Sequence, residues 1–69
     1  MESTYKVKVS YTCEDRITGD KETGTEVVKI EDAESDWQAA DWAEERITDR
    51  LGRMNYEVSN FCTIRITKI

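Results

Sequence analysis

Strict alternation of apolar and polar residues near the N-terminus most constrains what this chain can fold into. In TYKVKVSYTC, residues 4–13, every second side chain from Tyr5 to Cys13 is apolar or aromatic, and the residues between are Lys, Ser or Thr. Successive side chains of a strand point to opposite faces, so this pattern predicts a half-buried β-strand.

A second alternating stretch, TEVVKIED (25–32), places Val28 and Ile30 on one face and Val27 and Lys29 on the other. It predicts a second strand, joined to the first as a hairpin. The polar residues 14–24 contain two glycines, which predicts a long, mobile connection.

The pattern then becomes helical. Ser35 followed by Gln38 fits a capping box, and Gly52 is a natural stop, so we expect a helix from about residue 36 to 51. At about 100° per residue, one narrow sector forms the core stripe. Its members are Ala40, Ala43, Ile47, Leu51 and Met54.

Residues 55–69 predict a third strand, in which Cys62, Ile64 and Ile66 alternate with polar residues. Phe61 has the wrong parity for the core, and residues 56–61 either extend the strand or bulge. The order β-β-α-β brings the third strand beside the first. We therefore predict one α+β domain over residues 1–69, a three-stranded antiparallel sheet of order 2-1-3 with one helix on one face.

Composition narrows the class of protein. No apolar run exceeds two residues, which predicts neither a membrane span nor a signal-peptide core, and we expect a cytoplasmic location. In a reducing compartment Cys13 and Cys62 are most simply buried thiols, with a disulfide as the alternative if their strands are neighbours.

The net charge of −5 arises in one segment. Residues 31–45 contain seven acids and no Lys or Arg, whereas the rest of the chain has ten cations and eight acids. This argues against nucleic acid binding through the segment and favours a basic protein partner, although acids at a helix start are also expected from the helix dipole.

Two tryptophans lie five residues apart in this helix, so they cannot share its buried face. We expect Trp37 to fold over the sheet edge. Trp42 falls on the solvent face, where Arg46 stacks on it, a loop covers it, or it anchors a partner. The predicted partner-binding set is Glu34, Asp36, Asp41, Trp42, Glu45 and Asp49.

The open face of the sheet is a secondary candidate surface. It is predicted to be basic, through Lys6, Lys8, Lys29 and Arg65, and to include Thr12, Val27, Thr63 and Thr67, with Phe61 if it is in register. Stacking of single-stranded nucleic acid needs several aromatic side chains, and this face offers at most one, so direct nucleic acid binding is not expected.

Nothing in the sequence indicates catalysis. The chain has no His, no Ser or Cys in an arrangement that activates a nucleophile, and no set of metal ligands. We expect a protein that is not an enzyme and that binds neither a cofactor nor a metal.

The stretch IEDAESDWQAADWAEERI after a hairpin resembles short ββαβ proteins of phages and mobile elements, such as anti-CRISPR and other counter-defence proteins. The matching positions are Ile30, Ala39, Trp42, Ala43, Glu44, Glu45, Arg46 and Ile47. In that phrase the position of Trp42 is usually apolar, which favours a structural role for it. The resemblance implies a non-enzymatic inhibitor that blocks a basic groove of a nucleic-acid-handling complex.

Two alternatives to this inhibitor remain. One is a small homo-oligomeric module that pairs through exposed sheet edges. The other is a nucleic acid binder that uses the basic face, although the negative net charge counts against it.

Overall fold

The computed structural model describes residues 2–69 and confirms the β-β-α-β order. The elements are β1 (Ser3–Asp15), β2 (Lys21–Ala33), α1 (Asp36–Gly52) and β3 (Tyr56–Lys68). The sheet has the predicted order β2-β1-β3 with antiparallel neighbours. The helix packs against one face, which gives a two-layer α+β sandwich. Within residues 2–69, no helix is both long enough and apolar enough to cross a membrane.

The hairpin between β1 and β2 is tighter than the sequence predicts. Glu14 pairs with Lys21, so only residues 16–20 connect the strands, and the predicted long connection over residues 14–24 is wrong. Asp15 holds the turn, because its Oδ1 accepts a hydrogen bond from the Ile17 N–H at 2.8 Å. Gly19 supplies the positive φ of 80° that the turn requires.

Gly24 lies inside β2, where its missing side chain makes room for an aromatic ring. It pairs with Tyr11, and a Cβ built on Gly24 would lie 2.8 Å from Tyr11 Cζ. The glycine that suggests a loop in the sequence therefore serves packing within the sheet.

The core is small and is contributed mainly by β1 and β2. Ten of residues 2–69 are buried in it: Tyr5, Val7, Val9, Tyr11, Val28, Ile30, Ala33, Ala39, Ala43 and Ile47. The predicted helix stripe is partly correct, since Ala43 and Ile47 are buried and Ala40 and Leu51 are half-buried. Met54 is 59% exposed because the helix ends at Gly52.

Ala39 is fully buried although it lies outside the predicted core stripe. The buried sector of the helix is therefore rotated toward Ala39 and away from the half-buried Ala40 and Leu51. Small side chains at Ala39 and Ala43 allow the helix to approach the sheet closely.

β3 departs from simple alternation, and the predicted faces of several residues are wrong. The pairing with β1 shifts between Lys8–Arg65 and Val9–Thr63, which leaves Ile64 out of register and 52% exposed. A second shift lies near Asn60, which has a φ of 53°. Such bulges each add one residue and reverse the facing of those that follow.

Because of these bulges, Phe61 packs against the core on the helix side instead of joining the open face. Thr63 also belongs to the helix side, since it pairs with the inward-facing Val9. Cys62, predicted to face the core, is exposed.

The two cysteines lie on opposite faces of the sheet. Cys13 continues the buried face of β1 and is half-buried, whereas Cys62 pairs with Ser10 on the open face. Both thiols are free, so the expectation of two buried thiols is wrong for Cys62. Desolvation raises the pKa of Cys13, and the nearby carboxylates of Glu22 and Asp15 raise it further.

The start of the helix is built much as the sequence predicts. Ser35 is the N-cap, and its Oγ accepts a hydrogen bond from the Gln38 N–H at 3.3 Å. Gln38 Oε1 reaches back and accepts from the Glu34 N–H at 2.7 Å, one residue before the position used in a standard capping box.

Candidate functional site

The outer surface of α1 brings together four of the six predicted contact residues. Glu45 and Asp49 form a ridge along the helix, with Trp42 on one side and Asp41 on the other. An open depression lies on each side of this ridge, and neither is an enclosed cavity. We call Asp41, Trp42, Glu45 and Asp49 the acidic face.

Trp42 is 37% exposed and lines the first depression together with Glu45, Arg46 and Asp49. Arg46 Nη1 donates a hydrogen bond to the Lys29 carbonyl oxygen at 2.9 Å. The Arg46 guanidinium therefore ties the helix to β2, and one side of the indole stays accessible.

A second depression lies between the helix and β3, on the other side of the ridge. Phe61 contributes an aromatic ring to its lining, and Glu44 and Thr48 lie beside Asp41 and Glu45. These three residues lie outside the predicted site. Asn60 is the sequence signal for the facing of Phe61. Asn tolerates the left-handed backbone conformation of a bulge, and a bulge here turns Phe61 to the helix side.

The carboxylates of this region are mostly unpaired. Asp49 forms an ion pair with Arg53 at 2.9 Å, as expected for residues four apart on a helix. Within residues 2–69, Asp41, Glu44 and Glu45 have no cationic group within 4.0 Å. Their negative potential is therefore directed to solvent.

The remaining predicted contact residues lie at the helix start. Glu34 and Asp36 are exposed but line neither depression, and Asp36 Oδ1 accepts a hydrogen bond from the Trp37 N–H at 2.8 Å. Trp37 itself is 71% exposed, so the expectation that it folds over the sheet edge is wrong. The helix thus presents two tryptophans to solvent, about 140° apart around its axis.

A polar cluster fixes the C-terminal half of the helix against the sheet. Tyr11 Oη donates to Glu26 Oε2 at 2.6 Å, and Arg50 Nη2 donates to the same oxygen. Burial and the Glu26 hydrogen bond raise the pKa of Tyr11 to about 12. The Arg50 hydrogen bond lowers the pKa of Glu26, and this bond also raises the pKa of Arg50. The cluster lies outside the acidic face and positions the helix that presents it.

On the opposite side of the molecule, Lys6, Lys8, Lys29 and Arg65 share the open face of the sheet. Lys6 pairs with Lys29 and Lys8 pairs with Arg65 in adjacent strands. Lys6, Lys8 and Arg65 surround an open depression that Val27 and Thr67 also line. We call the four cations, Val27 and Thr67 the basic face.

The two faces present complementary charge on opposite sides of a thin molecule, whose smallest dimension is 13 Å. Within residues 2–69, no three His, Cys, Asp or Glu side chains are grouped so that they could hold a metal ion. The arrangement of the acidic face suits recognition of a positively charged surface, since an aromatic side chain lies among carboxylates.

No family model, curated protein or solved structure matches this chain. The fold and the two charged faces therefore define it as a two-layer ββαβ protein with an acidic, tryptophan-bearing helix.

Proposed function

We propose that this chain is a non-enzymatic, protein-binding inhibitor of the anti-CRISPR kind, from a phage or mobile element and acting in the bacterial cytoplasm. The helix face within its acidic segment, residues 31–45 with Trp42, covers a basic, nucleic-acid-binding surface of a host defence complex. The proposal extends the sequence resemblance and rests on no matched relative.

One observation carries the proposal: Trp42 is exposed on the helix beside Asp41 and Glu45, whose carboxylates have no cationic partner within residues 2–69. Tryptophan is enriched among residues whose truncation costs about 2 kcal/mol or more of binding free energy. The unpaired carboxylates of Asp41 and Glu45 steer a basic partner and speed its association. Together these side chains supply both an apolar contact and electrostatic complementarity.

Asp41 and Glu45 also repel each other, since they are like charges one helical turn apart. Such pairs cost about 0.2–0.5 kcal/mol in helices. In a domain with so small a core, retention of this cost supports a role in binding.

The test is retention of a purified CRISPR effector complex on the immobilised protein, followed by an assay of target cleavage. The variant Asp41→Lys, Glu45→Lys should lose both retention and inhibition. As a matched control, Glu22→Lys, Glu57→Lys changes the net charge equally at exposed positions outside the helix. This control should behave as the parent, and equal loss in both variants would leave no specific role for the helix.

The two tryptophans provide a second comparison. Trp42→Ala should weaken binding about 30-fold or more, the equivalent of about 2 kcal/mol. Trp37→Ala should have a small effect, because Trp37 lies on the opposite flank of the helix. If Trp37→Ala weakened binding more than Trp42→Ala, the contact would centre on the helix start. That result would contradict the proposed role of Trp42.

A second candidate function is a small homo-oligomeric module that pairs through sheet edges. The order β2-β1-β3 leaves β2 and β3 as edges, and β3 carries the exposed Ile64. Long apolar edges favour pairing with another strand. Ile64→Lys should abolish such pairing and leave the monomer folded, as measured by light-scattering mass and far-UV circular dichroism.

A further inference from the structure

The basic face combines two features that oppose stability. Lys6 and Lys29 are directly opposed across β1 and β2, and Lys8 and Arg65 are directly opposed across β1 and β3. Like charges in directly opposed positions destabilise a sheet. Two such pairs side by side leave an excess of positive potential at one end of the open face.

Little within the chain neutralises this potential. Lys29 lies 3.7 Å from Glu31, and both side chains are largely exposed. Within residues 2–69, Lys6, Lys8 and Arg65 have no carboxylate oxygen within 4.0 Å. A negatively charged partner would relieve both like-charge pairs at once.

The residues that line the depression on the basic face indicate which kind of partner it can bind. Val27 is 61% exposed among the cations, and the depression is largely apolar. The acidic face has the complementary arrangement, an exposed indole with carboxylates around it. A phosphate backbone would match the charges but leave Val27 without an apolar contact, and the described part of the open face has no aromatic side chain for a base.

We propose that the basic face binds the acidic face of a second copy of this chain. Trp42 of one copy packs over Val27 of the next, and Asp41, Glu45 and Asp49 pair with the four cations. The proposal goes beyond the inhibitor function and does not depend on it, although both use the acidic face.

The contact joins different faces, so each copy keeps one unused face and association continues as a chain of molecules. The largest projection of the molecule is 44 × 20 Å. Complete coverage of this projection, about 880 Å², would only slightly exceed the roughly 800 Å² per partner of a stable interface, and contact over part of it buries less. Association is therefore weak and salt-sensitive, and requires high protein concentration.

Sedimentation equilibrium in low salt tests the proposal at concentrations up to about 1 mM, well above the weak affinity expected for so small an interface. The weight-average mass of the parent should rise above the 8.0 kDa monomer with concentration and return to it in high salt. The sheet variant Lys8→Glu, Arg65→Glu and the helix variant Asp41→Lys, Glu45→Lys should each remain monomeric.

An equimolar mixture of the two variants is the decisive measurement. The sheet variant keeps an acidic face and the helix variant keeps a basic face, so the mixture should form a 1:1 dimer and no larger species. If the sheet variant does not fold, as judged by far-UV circular dichroism, Lys8→Gln, Arg65→Gln replaces it.

A monomeric parent in low salt would overturn the proposal, as would a mixture that does not associate. Association that persists in both variants would assign the contact to sheet edges instead. Binding of a thymidine oligonucleotide to a monomeric parent, lost in the sheet variant, would assign the basic face to nucleic acid. Self-association without inhibition of a defence complex would reject only the proposed function.

Discussion

Replacement of Gly24 by Ala tests the packing that holds β2 against the ring of Tyr11. A Cβ at this position would lie 2.8 Å from Tyr11 Cζ and 2.9 Å from Tyr11 Oη. Ordinary carbon contacts lie at about 3.5–4.0 Å, so the ring must move by roughly 0.7 Å or more. That movement also disturbs the hydrogen bond from Tyr11 to Glu26, which is 2.6 Å long.

The expected cost follows from these two effects. Overpacking costs about 1–3 kcal/mol, and a hydrogen bond to a charged group contributes about 1.5–3 kcal/mol. Replacing Gly by Ala also stabilises the folded state by about 0.4–1 kcal/mol, because it lowers the conformational entropy of the unfolded chain. We expect Gly24→Ala to lower the free energy of unfolding by about 2–4 kcal/mol, a large part of the roughly 3–10 kcal/mol typical of this chain length.

Urea unfolding followed by circular dichroism, analysed by linear extrapolation, measures this change. The control is the same substitution in a Tyr11→Val background, where the ring is absent. There Gly24→Ala should be neutral or slightly stabilising. An equal cost in both backgrounds would refute the argument, because the cost would then not arise from contact with the ring.

Further predictions concern titration, the core and the helix cap. The folded pKa of Tyr11 is about 12 and exceeds its ordinary value of 10.0, so its stabilising contribution is complete below pH 10 and is lost as the pH rises toward 12. The melting temperature should fall over that range, and Tyr11→Phe should flatten this part of the curve. Ile47→Ala should lower the free energy of unfolding in urea by about 2–5 kcal/mol, because Ile47 is 1% exposed. Met54→Ala should change this free energy by less than about 0.5 kcal/mol, because Met54 is largely exposed. Ser35→Ala should cost about 1 kcal/mol through loss of the N-cap hydrogen bond, and Ser35→Asp should restore most of it in the same assay.

The element order, the strand order and the helix cap were predictable because each depends on local pattern. Alternation from Tyr5 to Cys13 specifies one buried face, and Ser35 with Gln38 specifies a helix start. These signals agree with one another, so β-β-α-β with order 2-1-3 follows from them.

Errors arose where tertiary contacts override local pattern. The sequence pattern places Gly24 in a loop because the Tyr11 ring that it contacts is distant in sequence. The faces of Phe61 and Ile64 were reversed because bulges in β3 change the register without changing composition.

Within the candidate site, the grouping of Asp41, Trp42, Glu45 and Asp49 was predictable from helical spacing alone. The exposure of Trp37 was not, because it depends on whether the sheet edge extends beneath the indole. Glu44 and Thr48 were missed because they join the site only through Phe61 on β3.

Displacement of labelled target DNA from a purified CRISPR effector complex tests whether the acidic helix face is the inhibitory surface. The parent protein should compete with the DNA, Asp41→Lys, Glu45→Lys should not, and Glu22→Lys, Glu57→Lys should compete as the parent does. Competition by the Asp41, Glu45 variant at parental strength would show that the acidic helix face is not the inhibitory surface.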